Sequence, residues 1–400
     1  MILLSVNSGS SSLKLDFLDV EIGKKSELVF SKLASGIIDR KSKEVSFRLH
    51  TSAADLETKK VTAADTEEAF SKLIGIFKEA SFGSIEAVGH RLVHGGDQFV
   101  FPTLLSKEVL AALAKLRELA PLHNEEALHG IALAKSHFGE KIPMVAVFDT
   151  AFHHDIPLHA STYALPKKWR EKHKIKRYGF HGLAHDYMMK RYCELTNTPQ
   201  EKAALVTFQL GNGASACAIR EGRSIDTSMG FTPLEGLVMG TRSGNIDPSI
   251  ATYLVKKENL DAKEMERILN QESGLLALSE KSSDMRDLIA IIGKNSNAAL
   301  AVEVFCYHAK KFLGAYLAVL GDAQAVVFGG GIGEHIPLVR AKICEGMQSL
   351  GVALDSAANQ QMVGQEGNVA AKGSKVGAYV VRVDESRIIA EETLKCLLHH

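Results

Sequence analysis

Apolar residues along this chain gather in short runs, and stretches with polar positions at helical spacing separate them. Short apolar runs bounded by turn residues read as buried strands, and apolar positions three and four apart read as helices. On that rule Ile2 to Val6, Val45 to Leu49, Ala87 to Val93 and Pro143 to Phe148 form one set of strands. A second set is Ala204 to Leu210, Ala214 to Ile219, Ala325 to Phe328 and Gly377 to Val383. Residues 66–80, 106–119 and 124–138 carry helical spacing, with Thr66 and Ser106 as caps. The stretch 298–320 is apolar around most of its circumference, but Lys310 and Lys311 interrupt it, so it reads as a buried helix and not as a membrane span. Strands alternating with helices put the chain in the α/β class.

An echo at half-chain distance adds to this. VNSGSS (6–11) and LGNGAS (210–215) share an apolar residue, a small polar turn, a glycine and a serine in register. Each follows one apolar strand and precedes another apolar run, Leu13 to Leu18 or Ala216 to Ile219, as duplicated domains would place them.

Composition narrows the function classes. The 400 residues are enough for two or three domains. Lysine plus arginine and aspartate plus glutamate number 47 each, so the chain lacks the basic excess of nucleic-acid or membrane-surface proteins. The five cysteines are scattered without a CxxC, so neither a disulfide framework nor a zinc site is indicated. The opening MILLSVNSGSSSLKLD has no signal-peptide pattern, and a cytoplasmic protein is expected.

No GxxxxGK[ST] phosphate loop is present, and LGNGAS is followed by a strand, which a dinucleotide fingerprint would not be. The two Gly/Asn/Ser turns are either plain hairpins or backbone nests for an anion. Gly329-Gly330-Gly331-Ile332-Gly333-Glu334-His335 is too glycine-rich for an ordinary strand end. It is expected to be a loop, either a flexible turn or a floor on which a base and ribose lie. Arg242, between Thr241 and Ser243, and Arg91, inside GHRLVHGG, are lone cations in apolar surroundings. Each is either an anion fork or half of a structural ion pair.

Together these segments resemble the acetate kinase family. The resemblance rests on NSGSSSLK (7–14), HRLVHGG (90–96), FDTAFH (148–153), YGFHG (178–182), LGNG (210–213), Asp226 to Arg242, SDMR (283–286) and GIGE (331–334), in family order. It implies the duplicated two-domain fold shared with sugar kinases, heat-shock ATPases and actin, with the active site in an interdomain cleft. Domains of 1–150 plus 386–400 and of 151–385 are expected, the second with the nucleotide loops and the interface of a homodimer. It further implies reversible transfer of the ATP γ-phosphoryl group to acetate, giving acetyl phosphate and ADP.

The acceptor of that reaction is a carboxylate, already ionised at neutral pH, so no general base is required. The obstacle is anion approaching anion: two unit charges about 4 Å apart repel by about 4 kcal/mol at an effective dielectric near 20. A catalyst therefore needs cations and pre-aimed donors around an in-line transfer. By resemblance Arg91 binds substrate, His181 and Arg242 stabilise the moving phosphoryl group, and Asp149 orients groups or metal-bound water. Val93, Leu122, Phe180 and Pro233 match the pocket for the acetate methyl. Ser10, Ser12, Lys14, Gln209, Leu210, Gly211, Asn212, Gly213, Asp284, Met285, Arg286, Gly331, Ile332, Gly333, Glu334 and His335 match nucleotide positions. Asn7 and Glu385 match the site of Mg2+, for which Mn2+ can substitute. The adjacent His153 and His154 do not share a helix face, and solvent or turn roles are expected for them.

Some positions depart from the family pattern. Gln209 stands at a usual histidine, Leu183-Ala184 at Thr-Ser, Asn245 at an aspartate, and His335 at an asparagine. Asp384-Glu385-Ser386-Arg387 is a loose form of Asn-Glu-Glu-Leu. These changes surround the donor side, leaving ATP and pyrophosphate both open as donors and propionate or butyrate kinase as alternatives for the acceptor. A nucleotide switch would need no Arg91 and Arg242 beside a nucleotide site, and a family member that has lost activity is the remaining alternative.

Overall fold

Two β-hairpins built on the echoed turns are the starting point of the architecture. In the computed structural model, which describes residues 1–9, 12–23, 28–39, 44–49, 58–116 and 121–399, β1 (Ile2–Ser8) turns back antiparallel on β2 (Ser12–Ile22). Likewise β9 (Ala204–Leu210) turns back on β10 (Ala214–Arg220). Contacts divide the chain into two compact units, Met1–Ala151 with Asp384–His400, and Phe152–Val383.

The first unit continues with β3 (Leu28–Asp39), β4 (Glu44–Leu49), β5 (Thr58–Thr62), β6 (Ile85–Leu92), β7 (Thr103–Leu104) and β8 (Met144–Phe148). Its sheet order is β5-β4-β3-β2-β1-β6-β8-β7, with β6 parallel to β1 and β8 parallel to β6. The second unit adds β11 (Arg223–Thr227), β12 (Ala325–Gly329), β13 (Gly367–Asn368) and β14 (Gly377–Val380), in the order β11-β10-β9-β12-β14-β13. Here too the strand beside the hairpin, β12, runs parallel to β9, and β14 runs parallel to β12. Thus β3-β2-β1-β6-β8 and β11-β10-β9-β12-β14 repeat one topology. The duplication implied by the resemblance is present in the sheets themselves.

In the first unit, helix Thr66–Glu79 buries Phe70, Leu73, Ile74 and Phe77 against the sheet, and Phe77 stacks on Phe17 with ring centroids 4.0 Å apart. Burial of each such ring contributes about 2–3 kcal/mol. Helix Glu385–Leu398 packs on β1, β6 and β8, which carries Asp384 and Glu385 into the first unit, although the sequence assigned them to the second.

Other elements differ from expectation for identifiable reasons. Helix 66–80 is capped by Asp65, which accepts a hydrogen bond from the Glu68 amide at 2.8 Å, and not by Thr66. Ser106 does cap its helix, accepting from the Val109 amide, but the helix is Lys107–Lys115, and residues 117–120 lie outside the described ones. The helix expected at 124–138 begins at Pro121, whose missing N–H suits a first turn. β3 escaped notice because much of it is only half-buried, which blurs its alternation. The 298–320 stretch is helix Ser296–Leu320, buried on one face only, for Leu300 and Tyr307 face solvent. No helix among the described residues is long and apolar enough to cross a membrane.

Candidate active site

Strand register assembles the first constellation. Asn7 on β1 pairs with Arg91 on β6, and Leu92 pairs with Phe148, the last residue of β8, directly before Asp149. Three neighbouring parallel strands therefore deliver Asn7, Arg91 and Asp149 at their carboxyl ends, where open α/β sheets carry ligands. Glu385 joins them from the first turn of helix Glu385–Leu398.

Arg91 is the hub of this group. Its Nε and Nη2 donate to Asp149 Oδ1 and Oδ2 at 2.9 and 2.6 Å, and its Nη1 donates to Asn7 Oδ1 at 3.1 Å and Glu385 Oε2 at 3.0 Å. Asn7 Nδ2 also donates to Glu385 Oε2, at 2.8 Å. These four bonds occupy four of the five N–H donors of the guanidinium. Burial opposes the charge, yet Asp149 and Glu385 hold the Arg91 pKa above its ordinary value. Of the two readings open for this arginine, the ion pair describes it, and its fork is spent on Asp149. Ser12 and the exposed Lys14 stand on the adjoining β2, with Lys14 opposite Asn7; Ser10 lies outside the described residues. Val93 follows β6 and is half-buried, whereas the side chain of Leu122 lies outside the described ones.

The second constellation forms around the Leu210–Gly213 turn. His181 immediately precedes helix Gly182–Thr196 and adopts φ 57° and ψ 25°, a left-handed conformation that costs a non-glycine residue energy and marks a constrained position. Its neighbours hold it there. His153 Nε2 donates to the Phe180 carbonyl at 3.1 Å, and Tyr178 and Gly179 donate backbone N–H groups to the Gly230 carbonyl. His153 is buried, its Nδ1 bonded to Ser224 Oγ at 2.7 Å, and burial pulls its pKa down to about 4. The solvent or turn role expected for it gives way to a core role.

His181 and Arg242 converge on Gly213. A methyl group on Gly213 would sit 3.2 Å from both Cε1 and Nε2 of His181 and 3.8 Å from Nη1 of Arg242. Arg242 Nη1 donates to the Pro233 carbonyl at 3.1 Å, and no carboxylate lies within ion-pairing distance of it among the described residues. Burial pushes its pKa below the ordinary arginine value. Arg91 and Arg242 look alike in sequence, but of the two it is Arg242 that is desolvated without a carboxylate partner among the described residues. Phe180 is buried and Pro233 half-buried in this unit.

The remaining candidate segments abut the same turn. The Gly240 amide donates to the Asn212 carbonyl at 2.9 Å, and a side chain at Gly240 would strike Asn212 Oδ1 and approach the Ser283 carbonyl. Gly330 lies against the Leu210 carbonyl and the amide of Gln209. Within the unit, residues 209–213, 240–242, 283–286 and the glycine-rich segment are therefore neighbours. That segment is not the expected loop: Gly330–His335 is a short helix. Only Gly330 has a positive φ, 74°, and a Cβ there would meet the Leu210 carbonyl at 2.5 Å, whereas Gly331 faces open space. Glu334 stabilises the turn, its Oε1 accepting the amides of Gly330 and Val383 at 3.0 Å each. Glu334 is thus a clamp, Ile332 and Met285 are core residues, and Asp284 caps helix Met285–Ile291 while pairing with the exposed Arg286. His335 stays exposed, with Nδ1 donating to the Gly331 carbonyl at 3.2 Å.

A model of the acetokinase family matches residues 2–391. The chain belongs to the acetokinase family. An acetate kinase of Dictyoglomus turgidum is 44% identical over 407 residues, covering 99% of this chain and 97% of its own. One from Chloroherpeton thalassium is 42% identical, covering 100% and 99%. Among solved structures, Porphyromonas gingivalis acetate kinase superposes with a TM-score of 0.87 at 36% identity, covering 99% of both chains. A propionate kinase from Francisella tularensis gives 0.88 at 35%, covering 98% and 99%.

Three residues of this acetokinase were not assigned to the site from the sequence, although Ser215 ends the echoed LGNGAS turn. Ser215 Oγ bonds to His181 Nδ1 at 2.9 Å and to His185 Nε2 at 2.8 Å, and His185 Nδ1 bonds to Thr207 Oγ1 at 2.7 Å. The available signal was His185 four residues after His181, hence on the same helix face. The loop carrying Pro233 and Arg242 also has an unforeseen anchor. Arg177 donates to the carbonyls of Thr227, Ser228 and Met229 and to Glu235, which also accepts from the Tyr163 hydroxyl.

Proposed function

We propose that this chain is an acetate kinase that moves the γ-phosphoryl group of ATP directly, in line, onto the carboxylate of acetate, giving acetyl phosphate and ADP reversibly. The observation that carries the proposal is the half-buried, desolvated guanidinium of Arg242, without a carboxylate partner among the described residues, beside His181 at Gly213. A cation desolvated without a partner binds an incoming anion with little competition from water, and it acts where charge moves during transfer. His181 adds a donor from the same side of the turn. The backbone of Gln209–Gly213, with Asp284–Arg286 and Gly331–His335 around it, serves the nucleotide, while Lys14 and Ser12 serve its phosphates. Val93, Leu122, Phe180 and Pro233 serve the methyl group. In this reading Arg91 reaches the substrate carboxylate through its remaining Nη2 N–H, and Asp149 keeps the guanidinium aimed. No residue has to remove a proton from the acceptor.

Asn7 and Glu385 would hold the magnesium ion. Asn7 Oδ1 and Glu385 Oε2 both accept from Arg91 Nη1, and Glu385 Oε1 receives no hydrogen bond among the described residues. Two hard oxygen donors fit an ion that keeps several waters and completes its shell with phosphate. When bound, magnesium neutralises charge on the phosphoryl oxygens.

Propionate is the second reading for the acceptor, favoured by the similarity to a named propionate kinase at nearly the identity seen for a named acetate kinase. A homodimer belongs to the same proposal. Supporting it, helix Pro248–Lys257 buries none of its residues, and its Tyr253 is 60% exposed. Trapping of acyl phosphate as the hydroxamate, with ATP, GTP and pyrophosphate as donors and acetate, propionate and butyrate as acceptors, tests the reaction. The highest kcat/KM is expected for ATP with acetate. ATP hydrolysis that ignores acetate and yields no acyl phosphate would refute the proposal.

A further inference from the structure

The strained His181 is useful to an anion only if its Nε2, the nitrogen against Gly213, carries a hydrogen. An imidazole leaves this open, because a neutral ring can protonate either nitrogen, and the bond made by the other nitrogen decides. In this structure the other nitrogen meets Ser215 Oγ, which meets His185 Nε2, and His185 Nδ1 meets Thr207 Oγ1. Ser215, His185 and Thr207 are fully buried, so each polar atom depends on the chain for its partners.

Each hydroxyl has one hydrogen, and each neutral imidazole has one, so the chain can be polarised in only two directions. In the inward direction Thr207 donates to His185 Nδ1, His185 Nε2–H donates to Ser215, and Ser215 donates to His181 Nδ1. His181 is then left with its hydrogen on Nε2. In the outward direction His181 Nδ1–H donates to Ser215, Ser215 to His185 Nε2, and His185 Nδ1–H to Thr207. The Thr207 hydroxyl hydrogen then has no acceptor among the described residues, and it is buried. A neutral His181 would also turn a lone pair towards the anion. The inward direction gives the Thr207, Ser215 and His185 hydrogens an acceptor each, whereas the outward one leaves a buried hydroxyl with its desolvation uncompensated.

We infer that Thr207, His185 and Ser215 are positioning residues that hold His181 in the neutral Nε2–H tautomer, aimed at the transferring phosphoryl group as a hydrogen-bond donor. The inference rests on the acetate kinase reading for the identity of that group. His185 itself stays neutral: burial, then the neighbouring His153 and His181, push its pKa well below the ordinary value. The charged and titratable groups nearby are Arg242 on the Gly213 side, His153 with its ring centroid 5.8 Å from that of His185, and the Asp186–Lys190 ion pair of the same helix. His153 donates from Nε2 to a carbonyl, so it too is fixed as a neutral Nε2–H ring and offers His185 no proton.

Two measurements test this. With 15N-labelled histidine, long-range NMR correlations in the unliganded chain should show His181 as Nε2–H, and Ser215→Ala should mix its tautomers. In kinetics, Ser215→Ala should lower kcat about 10- to 100-fold, approaching the loss of an oxyanion donor, with KM for acetate and ATP changed less than about 3-fold. His185→Leu should match it, and His185→Gln, which keeps a donor towards Ser215, should recover most of the rate. In a His181→Ala background Ser215→Ala should cause no further loss. A Nδ1–H or doubly protonated His181 in the wild-type chain, a Ser215→Ala kcat within about 2-fold of wild type, or losses that multiply in the His181→Ala background would each overturn the inference. Failure of the wild-type chain to make acetyl phosphate would overturn the kinase reading alone, since the tautomer measurement needs no turnover.

Discussion

Arg91 holds Asp149 through two parallel hydrogen bonds of 2.6 and 2.9 Å, and Asp149 is only 1% exposed. The pair is therefore a structural joint as well as part of the candidate site. Removing one partner of a buried ion pair costs more than the pair contributes, because the other charge stays buried and uncompensated. Arg91→Ala should lower unfolding free energy by about 3–5 kcal/mol in denaturant titrations, besides abolishing most turnover.

Arg242 should behave in the opposite way towards stability. It has no carboxylate partner among the described residues to strand, and its desolvation is itself a cost. Arg242→Ala should leave the denaturant midpoint unchanged or raise it while lowering turnover by orders of magnitude. A loss of stability equal to that of Arg91→Ala would show an unrecognised structural partner.

Glycine substitutions separate packing from backbone roles. A methyl group on Gly230 would lie 1.7 Å from Glu235 Oε2 and 2.0 Å from the Tyr163 hydroxyl, inside the clamp that holds the Pro233–Arg242 loop. Gly230→Ala should cost about 1–3 kcal/mol or more by overpacking. Gly331→Ala meets nothing within 4 Å and lies in a helix, so it should be neutral or stabilising by up to about 1 kcal/mol. Thermal unfolding of the two variants checks both signs.

Buried neutral histidines predict a pH dependence of stability. The His153 pKa falls from 6.5 to about 4 on folding. Between those values the unfolded chain binds the proton and the folded chain does not, so stability is full above pH 6.5 and declines as pH falls towards 4. The contribution at stake is up to about 3 kcal/mol. Denaturation curves across this window should be flatter for His153→Gln than for the wild-type chain.

Much of this was legible in the sequence where chemistry is local. The echoed turns gave the two hairpins, and apolar runs gave the strands that deliver Asn7, Arg91 and Asp149. Contacts made at a distance were not legible. Two lone arginines in apolar surroundings carry the same local signal, and distant carboxylates, Asp149 at 58 residues and Glu385 at 294 residues from Arg91, distinguish them. GGGIGEH reads as a loop on propensity, but the carboxylate of Glu334 ties Gly330 to Val383 and makes it helical. The Ser215–His185–Thr207 chain depends on a helix face meeting strand hydroxyls, a tertiary match that the four-residue spacing of His181 and His185 hints at but does not encode.

Arg242 carries the central claim, that positive charge quenches the repulsion between acceptor and phosphoryl donor. The direct measurement is acetyl phosphate formation by Arg242→Ala with and without added guanidinium ion. The account predicts turnover lower by about 10²–10³ or more, partly restored by guanidinium and not by sodium at equal ionic strength. Turnover close to wild type without any additive would contradict it.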